Sequence, residues 1–298
     1  MDEQRPPQTR VTVYGRTDVG RVRAQNEDAF VVVDLNDTKP RMGPERVQWP
    51  VRGPGILLAV SDGLGGHNAG EVASALTLES LIEALDHLEG DDGQGVIRAV
   101  EQASDRVHEA GTDPSHSGMA ATLTLVLLRP DAVYVAEVGD SRAYLLRQDR
   151  ICQVTHDQSF VQMLVDQGLL TPAQAERSPQ RNVVLQVMGQ PRKLRVALGR
   201  MTLQPGDRLV LCSDGLSNEL TDAEIKKIGS HPDGVERASH ELVQAALSRG
   251  GHDNITVIVA EIDGVLPVSA EVDLTEKPQE PICETAVETV QSFRYQPG

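Results

Sequence analysis

Two stretches of the sequence repeat one arrangement of residues. In Ile56-Leu57-Leu58-Ala59-Val60-Ser61-Asp62-Gly63 and in Arg208-Leu209-Val210-Leu211-Cys212-Ser213-Asp214-Gly215, an apolar run ends in Ser-Asp-Gly. A short apolar run bounded by turn residues reads as a core strand, so each stretch delivers a carboxylate to the mouth of a buried strand. After Asp62, the glycines Gly63, Gly65 and Gly66 lack a Cβ and let backbone come close to an ion or a phosphate. His67 follows, able to exchange protons near neutral pH. Further acids adjoin apolar runs at Glu27-Asp28, at Gly139-Asp140-Ser141-Arg142 and at Asp253-Asn254. Carboxylates at several strand ends, with no cluster of cysteine or histidine, suit hard cations that take oxygen ligands, such as Mg²⁺ or Mn²⁺.

Asp62, Asp214 and Asp253 could hold two such cations with one carboxylate bridging. A two-metal centre clamps a phosphoryl group and deprotonates a water for in-line attack. Arg23 could grip the phosphate through its planar fork. His67 could protonate the leaving oxygen, and Asn254 could orient its neighbours. Each residue taken singly has a blander explanation. Asp-Gly is commonly a turn, Arg23 pairs as readily with Glu27 or Asp28, and His67 and Asn254 are ordinary loop residues. The repetition of the acidic strand ends favours the metal reading. No Gly-Lys-Ser/Thr follows the glycines, which excludes a P-loop.

The elements that must position these acids are legible from periodicity. Strands are expected at 11–17, through Val33, at 56–60, 121–128, 133–138, 143–146, 151–154, 194–198, 208–212 and 255–262. The stretch 34–54, rich in Pro, Gly and charge, reads as a long hairpin connection. Apolar residues at helical spacing predict helices over 69–88 and from Val96 to Ala110, with a longer late helix marked by Val235, Leu242, Ala245 and Ala246. Thr171-Pro172-Ala173-Gln174 and Thr221-Asp222-Ala223-Glu224 are capping boxes that start short helices. Many strands with short hairpin turns, interrupted by helix pairs, indicate an antiparallel α+β sandwich.

Composition sets the outer bounds. The chain has 298 residues, of which 39% are hydrophobic and only 3% aromatic, so its core must be built from Val, Leu, Ile and Ala. With 44 acidic against 28 basic residues, a net charge of −16 argues against nucleic-acid or anionic-membrane binding. Cys152 and Cys212 lie in apolar runs and read as small core residues. With Cys283 they make an odd number without zinc spacing, which fits a reducing, cytoplasmic setting. No apolar signal region or run of membrane-spanning length is present, so a soluble chain without membrane insertion is expected.

The ordered set Arg23-x-x-Asn26-Glu27-Asp28, Ser61-Asp62-Gly63-Leu64-Gly65-Gly66-His67, Val138-Gly139-Asp140-Ser141-Arg142, Ser213-Asp214-Gly215-Leu216 and Asp253-Asn254-Ile255-Thr256-Val257 closely resembles the metal-dependent (PPM, type 2C) serine/threonine protein phosphatases, in their bacterial branch. The resemblance covers about residues 10–263. It implies a four-layer α-β-β-α sandwich of two mainly antiparallel sheets with metals between them at one end. It implies hydrolysis of phosphoserine and phosphothreonine in proteins by metal-activated water at a binuclear Mn²⁺ or Mg²⁺ centre. Asp62 would bridge two tightly bound ions, and the Gly63 carbonyl, Asp214 and Asp253 would complete their protein ligands. Glu27 and Asp28 would act mainly through water, Asp140 would help hold a third, weaker ion, Arg23 would bind phosphate and His67 would be the acid. Phosphoproteins, including a serine/threonine kinase or its targets, are the implied partners of a monomer.

Residues 1–9 are expected to be a flexible N-terminus, 10–264 the catalytic domain with a flap at about 156–193, and 265–298 a disordered acidic tail. Two departures from the family pattern, Ser178 before Pro179-Gln180-Arg181 and Met119-Ala120-Ala121 before Thr122, bear on the flap and on substrate preference.

Overall fold

The computed structural model describes residues 9–37, 43–65, 69–85, 93–190, 194–267 and 287–291, the last segment as backbone only. The chain runs through β1 (Arg10–Asp18), β2 (Asp28–Asp34), β3 (Val47–Pro50) and β4 (Ile56–Leu64) into helices α1 (Ala69–Leu85) and α2 (Gly93–Ala110). It continues through β5 (Ala120–Ala121), β6 (Leu123–Leu128), β7 (Val133–Val138), β8 (Arg142–Arg147) and β9 (Arg150–Gln153) to the short helices α3 (Phe160–Asp166) and α4 (Pro172–Glu176). Strands β10 (Ala197–Met201) and β11 (Arg208–Cys212), helices α5 (Asp214–Ser217), α6 (Asp222–Gly229) and α7 (Val235–Ser248), and strands β12 (Ile255–Asp263) and β13 (Val287–Gln291) complete it.

Antiparallel pairing builds two sheets, one in the order β3-β1-β12-β11-β8-β9 and one in the order β13-β10-β7-β6-β4-β2, with β5 added against β4. The near-continuous apolar runs of the strands follow from burial on both faces. Successive side chains in a strand point to opposite faces. Phe30 and Val32 of β2 and Ile56, Leu58 and Val60 of β4 therefore enter the core between the sheets, together with Leu209, Leu211, Ile258 and Ala260 of the other sheet. Their neighbours Val31, Val33, Leu57 and Ala59 pack against α1 and α2. On the far side, Val210, Cys212, Val257 and Val259 pack under α6 and α7. The result is the expected four-layer α-β-β-α sandwich. Leu58 is fully buried, and truncating such a side chain to alanine costs about 2–5 kcal/mol.

Three expectations need correction. The connection 34–54 is not featureless, because β3 lies within it and pairs with β1 (Val47 opposite Val13, Trp49 opposite Val11). Pro- and Gly-rich flanks hide this strand, although Val47 is buried and Trp49 packs on the inter-sheet core. The stretch beyond residue 264 also contributes structure. Leu266 is fully buried, exchanges backbone hydrogen bonds with Leu203, and Thr9 Oγ1 donates to the Val265 carbonyl. Strand β13 then pairs antiparallel with β10 at the sheet edge. An edge strand needs only backbone groups to pair, so a polar, acidic segment can join without an apolar face. Finally, both Cys152 and Cys212 are buried as expected, but only Cys212 is a free thiol; Cys152 is disulfide-bonded.

Candidate metal centre

The two sheets bring their acids to one end of the sandwich. Asp28 opens β2 and stands opposite Asp62 on β4. Asp140 lies in the turn from β7 to β8, Asp214 opens α5 directly after β11, and Asp253 and Asn254 lead into β12. A cleft of about 240 Å³ is lined by Arg23, Glu27, Asp62, Gly63, Asp140, Asp214, Asp253 and Asn254, together with Asn182 and Val184 of the 156–193 segment. The structure thus gathers the acids that the sequence singles out around one space. Asp28 sits just behind it, and His67 lies outside the described residues.

Burial and mutual repulsion dominate the electrostatics. Burial, reinforced by Asp28, Asp214, Asp140 and Asp253, pushes the Asp62 carboxyl well above its ordinary range. Burial raises Asp28 to about 7, although hydrogen bonds from Ser213 and Thr256 pull it back. Burial followed by the charge of Asp214 raises Asp140 to about 8. Burial followed by Asp253 raises Asp214 to about 6, partly offset by a hydrogen bond with Asp62. Glu27 is raised, first by burial. Carboxylates confined together in this way favour an added positive charge.

The residues present fit a hard divalent cation. Every side chain offered to the cleft by the acids is an oxygen donor, as Mg²⁺ and Mn²⁺ require. Asp28 accepts hydrogen bonds on Oδ2 from Ser213 Oγ and Thr256 Oγ1, both at 2.7 Å. Its Oδ1 is buried and has no hydrogen-bond partner, an oxygen left for a water or a cation. The backbone around Gly63 is tightly packed, and a Cβ on that residue would lie 2.1 Å from the Gly70 carbonyl and 2.6 Å from that of Glu27. Among the described residues, no three acidic, histidine or cysteine side chains already converge as a closed metal cage. The acids ring an open cleft instead, a geometry that leaves room for water ligands and a phosphoryl group.

Polar residues behind the acids hold them in place. Asn254 Oδ1 accepts from the Glu27 backbone N–H at 2.8 Å, while its Nδ2 donates to the Val19 and Gln25 carbonyls, both at 2.9 Å. One amide side chain thereby fastens the β1–β2 loop that carries Arg23 and Glu27. Arg23 Nη2 donates to Asp253 Oδ2 at 2.7 Å. Thr122, invisible as a site residue in the sequence, exchanges hydrogen bonds with Asp62: its N–H donates to the Asp62 carbonyl at 2.8 Å and its Oγ1 accepts from the Asp62 N–H at 3.0 Å. Ser61 of β4, Ser213 directly after β11 and Thr256 of β12 are fully buried. The serine before each repeated Asp-Gly was the signal available in the sequence, since a buried hydroxyl there needs a partner.

The chain is similar in sequence and fold to known proteins. The family profile described as Protein phosphatase 2C matches residues 46–250. The serine/threonine protein phosphatase PstP of Mycobacterium tuberculosis is 37% identical over 253 residues, a match covering 83% of this chain and 44% of PstP. The chain therefore spans less than half the length of that relative. Protein phosphatase PhpP of Streptococcus pneumoniae is 32% identical over 251 residues, covering 83% of this chain and 96% of PhpP. The crystal structure of the PstP catalytic domain in complex with two manganese ions superposes with a TM-score of 0.70 at 33% identity, covering 86% of this chain and 99% of that one. The chain belongs to the protein phosphatase 2C family.

Proposed function

We propose that this chain is a metal-dependent protein phosphatase that hydrolyses phosphoserine and phosphothreonine in protein substrates. One observation carries the reading: Asp62, Gly63, Asp140, Asp214 and Asp253 line a single cleft with Arg23 beside them. Asp62 would bridge two Mn²⁺ or Mg²⁺ ions, with Asp214, Asp253 and the Gly63 carbonyl as further ligands. Glu27 and Asp28 would act through water, and Asp140 with Asp214 would hold a third, weaker ion. When bound, these cations neutralise phosphoryl oxygens and lower the pKa of water.

The chain's own residues supply the rest. Arg23 binds and orients the phosphate through its planar guanidinium. Asn254 keeps the Arg23 loop at a fixed distance from the acids. The oxygen of a water bonds to phosphorus in line as one of its protons passes to solvent, and the bond from phosphorus to the serine or threonine oxygen breaks with its electron pair on that oxygen. His67 donates the proton that the leaving oxygen needs, since an alkoxide leaves poorly. Substrates would include a serine/threonine kinase or its targets, and the enzyme would act as a monomer.

The test is phosphate release from a phosphothreonine peptide with Mn²⁺, with Zn²⁺ and after chelation. Turnover with Mn²⁺ and none after chelation is expected. A folded protein that binds the peptide without releasing phosphate under any of these conditions would instead be a binding module.

A further inference from the structure

Among the described residues, five large apolar side chains are exposed: Val19, Val22, Leu169, Val183 and Leu185. All five lie on two segments, the β1–β2 loop that carries Arg23 and the 156–193 segment. Both segments border the cleft, since Arg23 and Glu27 line it from the first and Asn182 and Val184 from the second. Apolar side chains scattered singly over a surface are ordinary. Confinement to the two borders of one cleft marks an interaction site.

The exposure does not come from slack backbone. Val22 is 65% exposed, yet the loop is fastened on either side of it. The Val19 and Gln25 carbonyls both accept from Asn254 Nδ2 at 2.9 Å. The Arg21 N–H donates to the Gly251 carbonyl at 2.8 Å, and Arg23 Nη2 donates to Asp253 Oδ2 at 2.7 Å. Gly20 packs so closely that a Cβ there would lie 2.2 Å from the Asp253 carbonyl. On the other border, the Phe160 N–H donates to the Val183 carbonyl and the Leu185 N–H to the Gln158 carbonyl, both at 2.8 Å. Each border thus offers an apolar side chain on backbone that is already ordered, which lowers the entropic cost of binding against it.

The occupant follows from position. Val22 adjoins Arg23 in sequence, and Val183 stands between two residues that line the cleft. A phosphorylated side chain that reaches Arg23 must bring its own main chain to the cleft mouth. In an extended peptide each neighbouring residue is only about 3.3 Å further along, so the neighbours of the phosphorylated residue are the parts of a substrate that meet these borders. We infer that Val22 and Val183 determine specificity, and that the preferred substrates carry apolar side chains next to the phosphorylated serine or threonine. The inference rests on the proposed phosphatase reading. Arg21 and Arg181 are also exposed on the two borders, so selection of acidic neighbours by charge is the rival outcome.

Three phosphothreonine peptides separate these outcomes, identical except for leucine, glycine or glutamate on both sides of the phosphothreonine. With Mn²⁺, the parent kcat/KM should be about tenfold higher for the leucine peptide than for the glycine peptide, chiefly through KM. Tenfold corresponds to about 1.4 kcal/mol, close to the scale of burying one apolar side chain. Val22→Ser should narrow that preference, Val22→Ser with Val183→Ser should remove it, and Val22→Ile should keep it. Both valines are exposed, so the variants should melt with the parent. A parent without preference for the leucine peptide would overturn the inference. Equal losses on the leucine and glycine peptides in Val22→Ser would do so too, as would a glutamate peptide that is turned over faster than the leucine one. A parent that releases phosphate with Mn²⁺ neither from these peptides nor from p-nitrophenyl phosphate would refute the underlying phosphatase reading instead.

Discussion

Asp28 and Asp62 stand directly opposite each other on antiparallel β2 and β4, Asp28 buried and Asp62 lining the cleft at the end of the sandwich. Like charges in opposed positions destabilise a strand pair. Here Asp214, Asp140 and Asp253 add to the repulsion felt by Asp62. The carboxylates are placed for a ligand and not for the stability of the empty fold.

A pH dependence follows. Asp28 is raised to about 7, Asp140 to about 8 and Asp214 to about 6, each primarily by burial. A carboxyl whose folded pKa exceeds its unfolded value contributes stability that is present below the unfolded pKa and lost as pH rises through the folded pKa. The chelated protein should therefore melt at progressively lower temperature as pH is raised from about 4 to about 8. Saturating Mn²⁺ should raise the melting temperature most at the alkaline end of that range. Thermal melts with and without chelator test this, and a chelated protein whose melting temperature climbs steadily across the range would contradict it.

Thr122 should matter out of proportion to its size. Thr122→Val keeps the shape but leaves the Asp62 N–H, now bonded to Thr122 Oγ1 at 3.0 Å, without an acceptor. A buried donor left unpaired costs about 1–3 kcal/mol, which denaturant unfolding would measure. Thr122→Ser retains the hydroxyl and should recover most of that loss. Equal stability of the parent and the valine variant would show that the bond contributes nothing.

Much of this arrangement is legible in the sequence because its strands are buried on both faces. Runs such as Ile56 to Val60 mark the buried part of a strand, although β4 itself continues through Asp62 to Leu64, so the acid lies within the strand and not beyond its end. Residues that act through geometry are harder to see. Thr122 and Thr256 look like ordinary residues of apolar stretches until the fold places their hydroxyls against Asp62 and Asp28. β3 and β13 pair through backbone groups from polar or proline-containing stretches, so periodicity has little to report.

Asn254 supplies a third prediction. Its amide makes three hydrogen bonds to the loop carrying Arg23. Asn254→Ala should free that loop and raise KM for a phosphopeptide about tenfold, as expected when about 1–1.5 kcal/mol of positioning is lost. Hydrogen exchange at Glu27 should rise in parallel. An unchanged KM with a mobile loop would separate Arg23 from substrate binding.

The boundary near residue 264 can be tested with two truncations. A chain ending at Gly264 loses the buried Leu266, whereas one ending at Pro267 keeps it. Burying a leucine contributes about 1.5–3 kcal/mol, so the shorter chain should unfold at lower denaturant. Coincident unfolding curves would return Leu266 to the tail.

The most direct measurement is manganese-dependent phosphate release from a phosphothreonine peptide by Asp62→Asn and Asp214→Asn, with calorimetric Mn²⁺ binding and thermal melts on the same samples. Each substitution removes a ligand charge and relieves repulsion within the cleft. Both variants should fold, melt in chelator no lower than the parent, bind Mn²⁺ more weakly and lose turnover by about a hundredfold or more. Turnover close to that of the parent in either variant would contradict a metal centre built on these two acids.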